Sequence, residues 1–74
     1  MKVVSGKEII KVLGKNGFSF DRQKGSHVHL VRREGNKEFH VTVPVRANKD
    51  LNPFVIRSIA RQSGYSLQEF EKLF

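Results

Sequence analysis

The sequence predicts an α+β fold of two layers, a three-stranded antiparallel sheet with helices packed on one face, in the order α-β-β-β-α-α. Three observations predict it. Apolar stripes at helical spacing stand at both ends of the chain, and three consecutive central segments alternate apolar and polar residues. The connections between those central segments are too short for parallel crossovers, so the strands form a meander.

Ser5 and Glu8 have capping-box spacing, which satisfies two backbone donors at a helix start. Ile9, Val12 and Leu13 form one apolar stripe with Ile10 at its edge, and Lys7, Lys11 and Lys15 fall opposite, the ordinary solvated side of an amphipathic helix. Gly17 can take the left-handed conformation that ends a helix, so the first helix spans roughly 6–16. Phe18 to Arg22 alternates as a first strand, with Arg22 leading into a loop that runs to Ser26. His27 to Arg33 is a second strand, Glu34-Gly35-Asn36-Lys37 a turn, and Glu38 to Val43 a third strand ended by Pro44.

Alternation assigns Phe18, Phe20, Val28, Leu30, Phe39, Val41 and Val43 to a buried face. Ser19, Asp21, His27, His29, Glu38, His40 and Thr42 then point the other way, with Val31 the one apolar exception. A sheet covered on one side only shows this pattern. Asn52-Pro53 opens a second helix with Val55, Ile56, Ile59 and Ala60 as its apolar stripe, and Gly64 ends it. Ser66 and Glu69 repeat the capping box before a short third helix carrying Leu67, Phe70, Leu73 and Phe74.

With 74 residues the chain makes a single domain, 1–74, whose core is small. The absence of cysteine removes disulfides and Cys-type zinc sites. No apolar run nears the ~18 residues needed to span a bilayer, and the N-terminal residues lack a signal-peptide pattern, so a cytoplasmic protein with no membrane contact is expected. Fourteen Lys and Arg against seven Asp and Glu give a net charge of +7, which favours a polyanionic partner, nucleic acid before acidic protein.

The densest chemical signal is Arg22-Gln23-Lys24-Gly25-Ser26-His27-Val28-His29. Gly25 lets a backbone approach a ligand, its neighbouring N–H groups can hold a phosphate, and Arg22 or Lys24 can neutralise it. An imidazole delivered beside such a site can move a proton near neutral pH, which makes His27 the candidate acid–base group. The plainer alternative is a solvated hairpin with incidental histidines. Three imidazoles on one face could ligate zinc, but an open sheet face holds them loosely and no carboxylate has ligand spacing, so no metal is expected. Ser26 and His27 are adjacent on a strand and point apart, which disfavours a serine triad. On the second helix, Phe54 beside Arg57 and Arg61 could grip RNA or a protein, although Phe54 is expected to fold back over the preceding loop.

In order and spacing, Lys24-Gly25-Ser26-His27, Val41-Thr42-Val43-Pro44-Val45, Asn48-Lys49-Asp50-Leu51, Pro53, Arg57-Ser58-Ile59, Arg61-Gln62-Ser63-Gly64 and Ser66-Leu67-Gln68-Glu69-Phe70 resemble the HicA (YcfA-like) toxin family. Each piece is weak alone; their ordered combination covers nearly the whole chain. The resemblance implies a fold like that of double-stranded-RNA-binding domains. It implies an mRNA interferase of a type II toxin–antitoxin system, cutting RNA without a cofactor and neutralised by a HicB-like antitoxin. The family's catalytic histidine lies in the Gly-Ser-His motif and carries over to His27. This chain follows the motif with Val28, His29 and Leu30 where relatives often have a histidine and an aromatic, which leaves His29 as the second candidate. It also has Arg46 where many relatives have a histidine.

With that family's chemistry, His27 would assist attack of the 2′-hydroxyl on the adjacent phosphate, and Arg22, Lys24, Gly25, Ser26, Arg32 and Arg33 would bind the phosphate. Arg46, Arg57 and Arg61 would contact RNA or antitoxin. The alternatives are a non-catalytic RNA-binding module that uses the same basic surface, and a protein-interaction domain whose basic face docks an acidic antitoxin.

Overall fold

The computed structural model describes residues 4–46 and 50–74. Asn48 and Lys49 of the family-like segment, and the first three residues, lie outside them. The chain runs α1 (Gly6–Lys15), β1 (Ser19–Lys24), β2 (His27–Glu34), β3 (Lys37–Pro44), α2 (Pro53–Gln62) and α3 (Leu67–Glu71), the predicted order. The strands form one antiparallel sheet in the order β1-β2-β3.

The helix boundaries follow their caps. Ser5 accepts from the Glu8 N–H and Glu8 reaches back to the Ser5 N–H, closing the capping box of α1. Asn52 Oδ1 accepts from the Val55 N–H at 3.0 Å with Pro53 in the first turn of α2, and Ser66 with Glu69 repeats the box at α3. Gly17, at φ 92°, turns the chain out of α1 into β1. A single antiparallel bridge between Ser5 and Asp50, with the Leu51 N–H donating to the Val4 carbonyl at 2.9 Å, pins the starts of α1 and α2 together.

Both long helices pack chiefly against β3, and α3 packs against α2. The core lies between the helix layer and the inner sheet face. It comprises Val4, Ile9, Leu13, Phe18, Val28, Leu30, Val41, Val43, Ile56, Ile59, Ala60 and Phe70. Phe70 is fully buried, with Phe74 edge-on at 5.3 Å and Tyr65 tilted at 6.4 Å between ring centroids.

Two expectations change. β1 extends past Arg22 to Lys24, so Gln23 and Lys24 are strand residues too and the turn to β2 is only Gly25-Ser26. Phe20, expected in the core, is 64% exposed. It sits opposite Leu30 on the helix side of the sheet, but β1 is the uncovered edge and all six of its residues are exposed.

Candidate active site

The site begins with a break in β1. Ser19 and Phe20 pair with Val31 and Leu30, but the next pairs are Arg22 with His29, Gln23 with Val28 and Lys24 with His27, so Asp21 is the extra residue of a β-bulge. A regular strand with Phe20 on the helix side would put Arg22 and Lys24 there too. The bulge moves both to the opposite face, because residues directly across a ladder share a face. Arg22 and Lys24 therefore flank His29 and His27 on the face that carries no helix.

The turn that carries the motif is tied down. Gly25 adopts φ 58°, Gln23 Nε2 donates to its carbonyl at 3.1 Å, and the Val45 N–H donates to the Ser26 carbonyl at 2.6 Å. His27 is exposed, opposite Pro44 at the end of β3. His29 is half-buried and opposite Thr42, whose Oγ1 lies 3.1 Å from His29 Nδ1. The Thr42 N–H, on the outer edge of β3, donates to Gln62 Oε1 at 2.9 Å, and Gln62 Nε2 donates to Ser58 Oγ at 2.9 Å.

Farther along this face, Arg33 donates to Glu38 at 3.0 Å and His40 meets the other Glu38 oxygen at 2.8 Å. The Arg33 and His40 hydrogen bonds hold the Glu38 carboxyl below its ordinary value of 4.5. One end of the open face is thus self-neutralised. At the other end, Arg22, Lys24 and His27 take part in no ion pair among the described residues. His27, His29 and His40 do not come together as a metal-ligand group among those residues.

Not every predicted residue joins this face. Arg32 pairs across from Phe39 on the helix side. Its side chain is 19% exposed, its guanidinium carbon lies 4.7 Å from the Phe39 ring centroid, 5.4 Å from Phe18 and 5.9 Å from Tyr65, and it pairs with Glu34. Strand alternation separates it from Arg33, and it is a packing residue here. Arg46 is exposed just past β3 and lines, with Pro44, Asp50, Leu51, Asn52 and Val55, a pocket of about 300 Å³. Arg57 and Arg61 are exposed on α2, off its buried stripe of Ile56, Ile59 and Ala60, and no hydrogen bond or ion pair among the described residues joins them to the histidines. Phe54 stands beside them 78% exposed, so it does not fold back over the loop.

Thr42 and Gln62 were not singled out in the sequence. A signal for Thr42 exists, since the two-residue Gly35-Asn36 turn fixes the β2–β3 register and sets His29 across from Thr42. Gln62 joins through a tertiary contact that no local pattern encodes.

The family model described as the HicA toxin of bacterial toxin–antitoxin systems matches residues 6–65, from the start of α1 to just before α3. No curated protein matches the chain.

Proposed function

The chain belongs to the HicA toxin family of bacterial toxin–antitoxin systems, and we propose that it is an mRNA interferase whose reaction is centred on His27. The observation that carries this reading is the bulge at Asp21, which gathers Arg22 and Lys24 opposite His29 and His27 on the helix-free face. An RNA backbone crossing that face would meet two cations, the Gly25-Ser26 turn and an exposed imidazole. The 2′-hydroxyl attacks the adjacent phosphorus, and His27 either takes its proton or protonates the departing 5′-oxygen. Such proton transfer contributes roughly 10²–10⁴-fold. Arg22 and Lys24 offset the charge that grows on the phosphorane, and Arg33 adds a more distant positive charge already shared with Glu38. Arg32, held among three rings on the other face, is outside this constellation.

The nucleophile belongs to the RNA, so the step requires neither cofactor nor metal, and DNA, which lacks that hydroxyl, is spared. As a toxin-family member the chain implies an antitoxin partner. We propose a HicB-like protein whose acidic surface covers the open basic face, with Arg46, Arg57 and Arg61 as further contacts. A strongly basic surface meeting an acidic one also speeds their encounter. No helix among the described residues is long and apolar enough to cross a membrane, and the cytoplasm is the proposed site of action.

The test is induced expression of the native chain and His27→Ala in bacteria, with growth and mRNA integrity followed together, and end-group analysis of RNA cut by the purified protein. Growth arrest, 2′,3′-cyclic phosphate and 5′-hydroxyl ends, and loss of all three effects in His27→Ala are expected. Tight RNA binding with no cleavage by the native chain would instead identify a binding module.

A further inference from the structure

Attack by a 2′-hydroxyl needs two proton transfers, one from the attacking oxygen and one to the departing 5′-oxygen. We propose that His27 and His29 divide them, with Thr42 as the positioning residue for His29; the assignment rests on the ribonuclease reading of the same face.

His27 and His29 are two residues apart on β2 and share the open face, which sets their Cα atoms about 6.6 Å apart. In an in-line displacement the entering and leaving oxygens stand on opposite sides of phosphorus. A phosphate seated between the two imidazoles therefore presents one oxygen to each. Lys24 lies across from His27 and Arg22 across from His29, so the non-bridging oxygens meet a cation beside either histidine.

The two rings differ in their support. His27 is exposed and faces Pro44, whereas His29 is half-buried and bonded through Nδ1 to Thr42 Oγ1 at 3.1 Å. That bond leaves Nε2 for the substrate. A threonine hydroxyl both donates and accepts. It accepts from Nδ1–H of an imidazolium, or of a neutral ring whose Nε2 is the base, and it donates to a bare Nδ1. The contact therefore survives the change of protonation that a proton-transfer group undergoes. Thr42 is itself held through its N–H by Gln62, and Gln62 by Ser58, so α2 fixes the strand edge from which His29 is aimed. His40 is no equivalent: it sits two pairs farther along the ladder, opposite Val31, and is engaged by Glu38 at 2.8 Å.

The step balances. One imidazole Nε2 takes the 2′-hydroxyl proton as the O2′–P bond forms. The other, as imidazolium, gives its Nε2 proton to the 5′-oxygen as the P–O5′ bond breaks. The products are a 2′,3′-cyclic phosphate and a 5′-hydroxyl, and the protein is left with its proton on the other histidine. The charged or titratable groups around His29 are Arg22 and Lys24 from β1, with Asp21 in the bulge beside Arg22, His27 and Arg33 along β2, and His40 with Glu38 on β3; the helices pack against the opposite face.

The experiment compares a short RNA having one ordinary linkage with the same RNA having sulfur in place of the bridging 5′-oxygen, a leaving group that needs no proton. Native chain, His27→Ala, His29→Ala, Thr42→Val and Thr42→Ser are assayed across pH, with circular dichroism to confirm folding. Expected is a bell-shaped rate profile for the native chain, and a loss of roughly 100-fold with one missing limb for either histidine variant. On the sulfur linkage one of the two variants, and only one, recovers to within about tenfold of the native rate, because only the missing acid is bypassed. Thr42→Val is about tenfold slower with a displaced limb, and Thr42→Ser restores both. The proposal is overturned if folded His29→Ala cuts the ordinary linkage within about threefold of native, or keeps both limbs, or if sulfur rescues neither histidine variant. A native chain that cuts neither linkage overturns the ribonuclease reading and this assignment with it.

Discussion

Replacing Arg32 by alanine is expected to cost the fold about 2 kcal/mol while leaving RNA binding almost unchanged, and the first half follows from its cage. The Phe39 and Phe18 rings, at 4.7 and 5.4 Å from the guanidinium carbon, contribute about 1 kcal/mol each at this burial, and Tyr65, at 5.9 Å, about 0.5. The stem lies over Gly17, where an added Cβ would come within 3.2 Å of Arg32 Cδ; losing that packing costs about 1 kcal/mol more. The exposed Glu34 partner adds about 0.5 kcal/mol. Against this, Arg32 Nε is buried without a hydrogen-bond partner, a penalty of about 1–3 kcal/mol that the substitution relieves. A net loss of about 2 kcal/mol lowers the melting temperature of a domain this size by about 8–16 °C. Arg32→Met keeps the stem and removes the orphaned Nε, so it loses about half as much. Thermal melts by circular dichroism measure the first effect, and RNA affinity against salt concentration the second. Lys24→Gln should reduce the salt slope by about 1 where Arg32→Ala does not. If Arg32→Ala melts within about 3 °C of native yet loses affinity and salt slope as Lys24→Gln does, Arg32 is a phosphate ligand and the cage reasoning fails.

Three further outcomes follow from packing and charge. Phe70→Ala should cost about 3–5 kcal/mol, a large share of the roughly 4–11 kcal/mol available to a 74-residue domain; a urea midpoint close to native would show that α3 is not integral to the core. In Gly6→Ala the new Cβ would run into the Pro44 carbonyl oxygen, a backbone obstacle that cannot swing aside, so urea titration should show a loss of about 1–3 kcal/mol, with no loss meaning that α1 sits farther from β3. The lowered Glu38 carboxyl, held by Arg33 and then His40, and the lowered Glu69 carboxyl, held by the Ser66 N–H and hydroxyl, both stabilise the fold above the ordinary 4.5 of a glutamate. That contribution fades as pH falls through each lowered folded value. The native chain should therefore lose stability as pH falls below the ordinary 4.5, and Glu38→Gln should flatten the drop. An undiminished drop in that variant means the Glu38 hydrogen bonds contribute nothing in solution.

Helices and sheet faces were legible because each is written locally. Two capping boxes, an Asn-Pro start and periodic apolar residues mark the helices, and alternation from Val28 to Leu30 and from Val41 to Val43 marks the buried face. Phe20 shows where local pattern stops. Its alternation is sound and it does lie on the helix side, but whether that side is covered depends on where the helices land. They land on β3, so the edge strand keeps its phenylalanine in water. Phe54 fails for the same kind of reason, since a sequence window does not say whether an aromatic at a helix start is covered, and this one is 78% exposed.

The site was half legible, and the missing half is a matter of register. Ending the first strand at Arg22 and reading a loop from there to Ser26 left open where Arg22 and Lys24 would point. Closing the β1–β2 hairpin with two residues forces Lys24 across from His27 and Arg22 across from His29, and the cost is one unpaired residue, Asp21. That insertion does what neither composition nor motif could reveal. It lets an apolar Phe20 and two cations, two and four positions farther on, serve opposite faces of a six-residue strand. The neighbouring pair Arg32-Arg33 makes the same point without a bulge, because strict alternation sends one arginine into an aromatic cage and the other to the histidine face. A net charge of +7 therefore overstates the surface available to a phosphate backbone. What counts is the end of that sheet face where Arg22 and Lys24 stand beside two imidazoles, unpaired among the described residues, while Glu38 is occupied at the other end.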